Sequence, residues 1–161
     1  TDWFKSEVLE PLNLAKSLDR KVSELSGGEV QRVAIAACLS RDATIYLLDE
    51  PSAFLDIEER LAVARAIRDI VRVGGKAALV VEHDIVAIDF IADRLMVFEG
   101  EPGVYGIANT PSPLRDGMNR FLRMMGITFR RDAVTKRPRV NKEGSKLDRY
   151  QKSVDEYYYI D

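Results

Sequence analysis

Three polar clusters in this 161-residue chain have residue types and spacing suited to phosphate chemistry. The first, IYLLDE, closes an apolar run with Asp49 and Glu50. Ligands of open α/β sheets bind at the carboxyl ends of strands. There, one carboxylate can hold Mg2+ through water, and its neighbour can orient or deprotonate an attacking water. The same pair can also simply cap the next element. The second cluster, AALVVEHD, puts His83, the one histidine, in the equivalent place after another apolar run. If the two strands are neighbours, His83 comes near Glu50, and a neutral imidazole can bond a phosphate oxygen and an ordered water. A purely structural histidine is the alternative. The third cluster, LSGGEVQR, runs from Leu25 to Arg32 and opens into VAIAACL. Exposed N–H groups at a helix mouth attract anions, and glycine lets a phosphate approach the backbone. Ser26 can add a hydrogen bond to that anion, or serve only as a helix cap.

These residues need a scaffold of alternating elements. Residues 3–18 predict a helix with Trp3, Val8 and Leu12 as apolar anchors, interrupted by Pro11. A helix over about 29–40 carries Val30, Val33, Ala34, Ala37 and Cys38 at helical spacing. TIYLL and AALVVE read as buried parallel strands. Between them, 57–73 is helical: Asp56 caps it, Glu59 stands where a capping box needs it, Leu61, Ala64, Ile67 and Val71 mark its core face, and Gly74-Gly75 stop it. A further helix runs to about Ala92, and strands at 94–100 and 104–108 flank a Glu-Pro-Gly turn. The alternation predicts an α/β fold with a mainly parallel sheet and flanking helices. After PSPLRDG, an amphipathic helix at 114–125 presents Leu114, Met118, Phe121, Leu122 and Met125. The remainder reads as polar, basic and irregular.

Composition narrows the class. Apolar residues make up 46%, enough for a core, and no apolar run approaches the roughly 20 residues of a spanning helix. No leader pattern is visible in TDWFKSEVLE, so no membrane and a cytoplasmic setting are expected. A single cysteine, Cys38, leaves no internal disulfide and no cysteine-ligated cluster. Charge is unevenly spread: residues 1–114 sum to −7, residues 115–152 to +8, and residues 153–161 to −3. A basic arm on an acidic body calls for an anionic partner, either nucleic acid or the acidic body itself. Arg130, Arg131, Arg137, Arg139 and Lys142 are the candidates for RNA phosphates or for bracing acidic domains.

The order and spacing of the clusters resemble the ABC-type ATPase family over roughly residues 10–108. LSGGEVQR resembles its signature, IYLLDE its Walker B motif, SAFLD its D-loop, and EHD its switch histidine. The resemblance implies that Asp49 holds Mg2+ through water, that Glu50 is the catalytic base, and that His83 contacts the γ-phosphate of ATP. Leu25, Ser26, Gly27, Gly28, Glu29 and Gln31 would then serve a nucleotide held by a second nucleotide-binding domain. Ser52, Ala53, Phe54, Leu55 and Asp56 would line the seam between the two domains.

Two family elements are missing from the sequence. The one Gly-Lys pair, Gly75-Lys76, is preceded at P-loop spacing by Ile70 and followed by Ala77, so no G-x-x-x-x-G-K-[ST] occurs. The glutamines, Gln31 and Gln151, do not stand where a Q-loop belongs. Residues 1–108 are therefore expected to be the C-terminal half of a nucleotide-binding domain, with 109–161 a basic, hinge-like extension. Alone, such a chain is expected to be inactive. SAFLD is one residue longer than the common SALD, and LRDGMNRFL, ITFRRD, RPRVNK and YYY resemble the E subfamily, the RNase L inhibitor or ribosome-recycling ATPases. That resemblance implies a twin ATPase that closes on ATP to split ribosomes. Its partners would be the small ribosomal subunit, release or rescue factors and ribosomal RNA, and its iron–sulfur clusters would lie outside this chain. A transporter ATPase subunit and a non-catalytic regulatory piece are the alternatives.

Overall fold

The computed structural model describes residues 2–132 and 138–159. It divides into two compact units, residues 1–91 and 92–161.

In the first unit, the expected helix over 3–18 is broken. A turn of α-helix (α1, Asp2–Phe4) runs into a π-helical stretch (Lys5–Leu9), followed by 3-10 turns at Ala15–Ser17 and Val22–Glu24. Pro11 has no N–H to continue a helix, and Asn13 takes a left-handed conformation at φ 51°. Val8 and Leu12 are buried, but Trp3 is exposed. The helix α2 spans Gly27–Leu39, and its buried side is Arg32, Ile35, Ala36 and Leu39. Val33 and Cys38 pack at the margin of the core, whereas Val30, Ala34 and Ala37 are exposed. The apolar stripe predicted from spacing is thus rotated, and a buried arginine takes a core position. Arg32 holds it through an ion pair of Nη1 with Glu59 Oε1 at 3.0 Å and by donating Nη1 to the Leu12 carbonyl at 3.3 Å.

The strands β1 (Ile45–Asp49) and β2 (Ala77–Val81) pair in parallel, with Asp49 opposite Val81. Between them lies α3 (Ile57–Val73), and after β2 comes α4 (Ile85–Ile91). Asp56 caps α3 by accepting the Glu59 N–H at 2.9 Å. The Glu59 carboxylate does not complete the expected capping box; it goes to Arg32 instead. Val63, Ala64, Ala66, Ile67 and Ile70 form the buried side of α3. Tyr46 and Leu48 join the core with Leu12, Leu14, Ile35, Leu39, Leu55 and Val63. The strands are covered on this face only: Ile45, Leu47, Leu79 and Val81 are each at least half exposed. The fully buried strands expected from the apolar runs are one-sided, because the described helices supply cover for alternate residues alone.

In the second unit, β3 (Arg94–Leu95) pairs antiparallel with β6 (Ser112–Pro113), and β4 (Phe98–Glu101) with β5 (Tyr105–Ala108). The predicted 94–100 strand is therefore split between two ladders. Pro102 and Gly103 (φ 76°) make the intervening turn, closed by Val104 N–H to the Glu101 carbonyl at 3.0 Å. The helix α5 spans Leu114–Met125, with Met118 and Leu122 fully buried and Met125 exposed. Gly126 ends it at φ 67°, and Ile127 N–H reaches the Leu122 carbonyl at 3.1 Å. The described residues after 126 are largely regular rather than irregular. A three-stranded sheet, β8 (Pro138–Val140), β7 (Phe129–Arg131) and β9 (Tyr158–Tyr159), joins α6 (Lys146–Ser153). Its core is largely polar. Thr128 Oγ1 donates to Asp148 Oδ1 at 2.7 Å, Asn141 Nδ2 donates to Thr128 Oγ1 and to Gln151 Oε1, and Gln151 Nε2 donates to the Phe129 carbonyl at 3.0 Å. Phe129 stacks on Tyr158 beside this network.

Candidate phosphate-chemistry site

The adjacent carboxyl ends of β1 and β2 bring Glu50 and His83 together, with His83 Nε2 2.8 Å from Glu50 Oε1. Where the carboxylate is ionised it only accepts, and the imidazole then donates from Nε2. Both side chains are more than half exposed, and they line an open cleft of about 320 Å3 with Ser52, Ala53, Arg60, Glu82 and Asp84.

Glu50 has φ 45°, a left-handed conformation that costs an L-residue about 1–2 kcal/mol. Three hydrogen bonds hold it. Its N–H donates to the Val81 carbonyl at 2.9 Å, while its own carbonyl accepts Ala53 N–H at 3.0 Å and Gln31 Nε2 at 3.1 Å. The amide of Gln31, from LSGGEVQR, thus braces the backbone of Glu50 within one domain.

Asp49 is exposed at the end of β1, and its carboxylate has no hydrogen-bond partner among the described residues. No group of three or more histidine, cysteine or acidic side chains among the described residues could cage a metal. One free hard-oxygen donor fits a hydrated Mg2+ whose other ligands are waters and phosphate oxygens.

At the mouth of α2, Ser26 and Glu29 form a reciprocal capping box. Glu29 N–H donates to Ser26 Oγ at 3.3 Å, and Ser26 N–H donates to Glu29 Oε2 at 2.8 Å. The Ser26 backbone bond, helped by the Ser26 hydroxyl and the Arg20 guanidinium, holds the Glu29 carboxyl below its ordinary pKa. That carboxylate is committed to the cap, which leaves Ser26, Gly27 and Gly28 as the outward elements, with Leu25 half-buried beside them. Gly28 has a second reason to be glycine: a Cβ there would lie 3.1 Å from the Phe54 carbonyl oxygen. The loop 52–56 therefore rests on the signature. Ser52 and Leu55 are buried, Asp56 is spent capping α3, and Phe54 is 81% exposed at φ 63°. Phe54 is what this loop presents outward.

Sequence reasoning missed Glu82. Its Oε1 accepts Ser52 N–H at 2.8 Å, and its Oε2 accepts the N–H groups of His83 at 3.0 Å and Asp84 at 3.3 Å. An acid beside the strand-end histidine in VVEHD was the available signal. Arg60 was also missed, and no local pattern announces it. Its Nη1 donates to Asp84 Oδ2 at 2.6 Å and its Nε to the Leu55 carbonyl at 2.8 Å.

Of the basic candidates, Arg130, Arg139 and Lys142 are exposed, Arg131 is half-buried on β7, and Arg137 lies outside the described residues. Arg130 and Arg139 are cross-strand partners on β7 and β8. Arg139 pairs with Asp132 at 3.6 Å, and other basic side chains of the unit pair as well: Arg115 with Glu156, Arg120 with Glu99, and Arg123 with Asp155.

The family described as ABC transporter matches residues 2–53. An ABC transporter ATP-binding protein of Methanocaldococcus jannaschii is 60% identical over the whole chain, which covers 27% of that relative. ABC transporter E family member 1 of Arabidopsis thaliana is 48% identical over 98% of the chain and 26% of its own length. The chain thus spans about a quarter of the curated relatives it matches. Among solved structures, the archaeal ribosome recycling factor aABCE1, in complex with ribosomal stalk protein aP1, has a TM-score of 0.91 and 64% identity, covering 99% of this chain and 31% of its own. A ribosome-bound archaeal Pelota and ABCE1 model has a TM-score of 0.93 and 61% identity, covering 99% and 27%. With signature, strand-end acids and C-terminal unit all aligned within these proteins, the chain belongs to the E family of ABC-type ATPases and corresponds to their C-terminal part.

Proposed function

We propose that this chain supplies the hydrolytic edge of one ATP site and the signature face of another in a twin ATPase that splits ribosomes into subunits. The observation that carries the reading is the 2.8 Å pairing of His83 Nε2 with Glu50 Oε1 at neighbouring strand ends, in a chain of this family. Glu50 takes a proton from the water whose oxygen attacks the γ-phosphorus, and ADP leaves. His83 orients Glu50 and meets the phosphate. Asp49 holds the hydrated Mg2+, which neutralises phosphate charge when bound. Ser26, Gly27 and Gly28 address the γ-phosphate held by the second nucleotide-binding domain, with Phe54 at the seam.

In this reading residues 1–108 complete a nucleotide-binding domain, and 109–161 form the basic extension. Like charges directly opposite on a sheet repel; Asp132 answers Arg139 within the unit, and the exposed Arg130 facing it favours an anionic partner, either RNA phosphate or an acidic domain. The setting is cytoplasmic. Among the described residues no helix is long and apolar enough to cross a membrane. The chain on its own is expected to show no ATP hydrolysis, because its sequence lacks a P-loop.

The test uses the intact protein carrying Glu50→Gln, sedimented with small ribosomal subunits with and without ATP across a salt series. The expected result is ATP-dependent co-sedimentation with hydrolysis lost. Parental hydrolysis would remove Glu50 as the base, and no binding under any condition would remove the ribosome.

A further inference from the structure

The loop that presents Phe54 and the loop that carries His83 are joined by two ties in the first unit. One is the Glu82 carboxylate, which spans them with its two oxygens: Oε1 on Ser52 N–H, Oε2 on the N–H groups of His83 and Asp84. The other is Arg60, which bridges the Leu55 carbonyl to Asp84 Oδ2. Positions 52 and 55 are thereby tied to positions 82 and 84, on either side of Phe54 and His83. Asp84 also caps α4, accepting Val86 N–H at 2.8 Å, so the second loop is seated on a helix and cannot yield freely. Both ties lie in the wall of the cleft that Glu50 and His83 share. The Glu82 tie acts on backbone N–H groups, whereas the Arg60 tie joins a backbone carbonyl to the Asp84 carboxylate.

We propose that Glu82 is a positioning residue that couples the exposed Phe54 loop to His83, so that seating Phe54 against a second domain sets the His83–Glu50 geometry. This rests on the ATPase reading above. A bare hydrogen bond from Ser52 to water would fix nothing at His83. A carboxylate accepting from both loops makes displacement of one a displacement of the other. Glutamine cannot replace it, because its amide nitrogen would face an N–H. Aspartate is one methylene short of spanning both loops.

The experiment measures steady-state ATP hydrolysis by the intact protein carrying Glu82→Gln, Phe54→Ala, both together, or Glu50→Gln. Misplacing a reacting group by about 1 Å can cost on the order of a hundredfold, so Glu82→Gln is expected to lower kcat by roughly tenfold to a hundredfold with KM for ATP within about twofold of the parent. Since the two residues act in one chain of contacts, the double variant is expected to be no worse than the poorer single one. A parental kcat in Glu82→Gln, or a loss that multiplies with that of Phe54→Ala, overturns the coupling. A fall in melting temperature with a matching rise in KM makes Glu82 a mere loop brace and also overturns it. If Glu82→Gln does not fold, Glu82→Asp leaves the carboxylate one methylene short of spanning both loops, and a parental kcat there is equally fatal. Glu50→Gln separates the two ideas: its retained hydrolysis removes Glu50 as the base on which the site reading rests, whereas its loss beside an unaffected Glu82→Gln sinks the coupling alone.

Discussion

Gln31 is the sharpest place to ask whether the signature helix serves only the opposite nucleotide. The left-handed backbone at Glu50 costs about 1–2 kcal/mol. Against it stand the three hydrogen bonds to Val81, Ala53 and Gln31, each with a net value of about 0.5–1.5 kcal/mol. Gln31→Met keeps the length of the side chain and removes one donor. The margin holding Glu50 then shrinks by about 1 kcal/mol, which shifts the held-to-released ratio by roughly fivefold. In the intact protein kcat for ATP hydrolysis is expected to fall by up to about fivefold, with KM for ATP unchanged, because an interaction that positions the reacting group is lost rather than one that binds nucleotide. Steady-state kinetics over an ATP series reads both constants. A raised KM at constant kcat would mean that Gln31 meets the nucleotide directly and that its bond to the Glu50 carbonyl is incidental. No change in either constant would refute the bracing as well.

Other expectations concern the second unit. Gly117→Ala should gain about 1 kcal/mol of helix propensity, but its Cβ would stand 2.4 Å from Leu95 Cβ. Overpacking typically costs about 1–3 kcal/mol, so urea unfolding is expected to show a net loss, and a more stable variant would contradict the seating of α5 on β3. Asp148 is held below its ordinary 3.8 by the Thr128 hydroxyl first, then by the Gly144 N–H and Lys152. A depressed folded pKa gives stability that is present above 3.8 and lost as pH falls through the folded value. Acid titration of this unit should therefore be flatter below 3.8 in Asp148→Asn than in the parent. Thr128→Val removes the donor to Asp148 and the acceptor for Asn141, at about 1–3 kcal/mol for a buried group, which thermal melting would read.

The site was legible where type and spacing are local. Asp49, Glu50 and His83 end strands whose apolar runs stand out, and parallel pairing then brings the Glu50 and His83 side chains together. Ser26 and Glu29 advertise their cap three residues apart. What failed was anything decided by packing at a distance. The buried side of α2 includes Arg32, which spacing rules assign to solvent, because Glu59 on α3 pairs with it. The fold after Gly126 was invisible to apolar periodicity since Thr128, Asn141, Asp148 and Gln151 build much of its interior. Hydrogen bonding satisfies those groups, and no hydropathy pattern encodes which of them meet. The continuous runs in β1 and β2 promised two-sided burial, yet only one side has cover among the described residues.

That one-sided sheet changes how substitutions will read. Leu47 is 68% exposed here, so Leu47→Ala in this chain alone falls among surface changes of about ±0.5 kcal/mol. In any assembly that lays an element over the same face, the identical substitution becomes a core truncation of about 2–5 kcal/mol. Ile45, Leu79 and Val81 share that dependence on context. A mutational map of these four positions therefore reads the cover over the sheet as much as the side chains themselves.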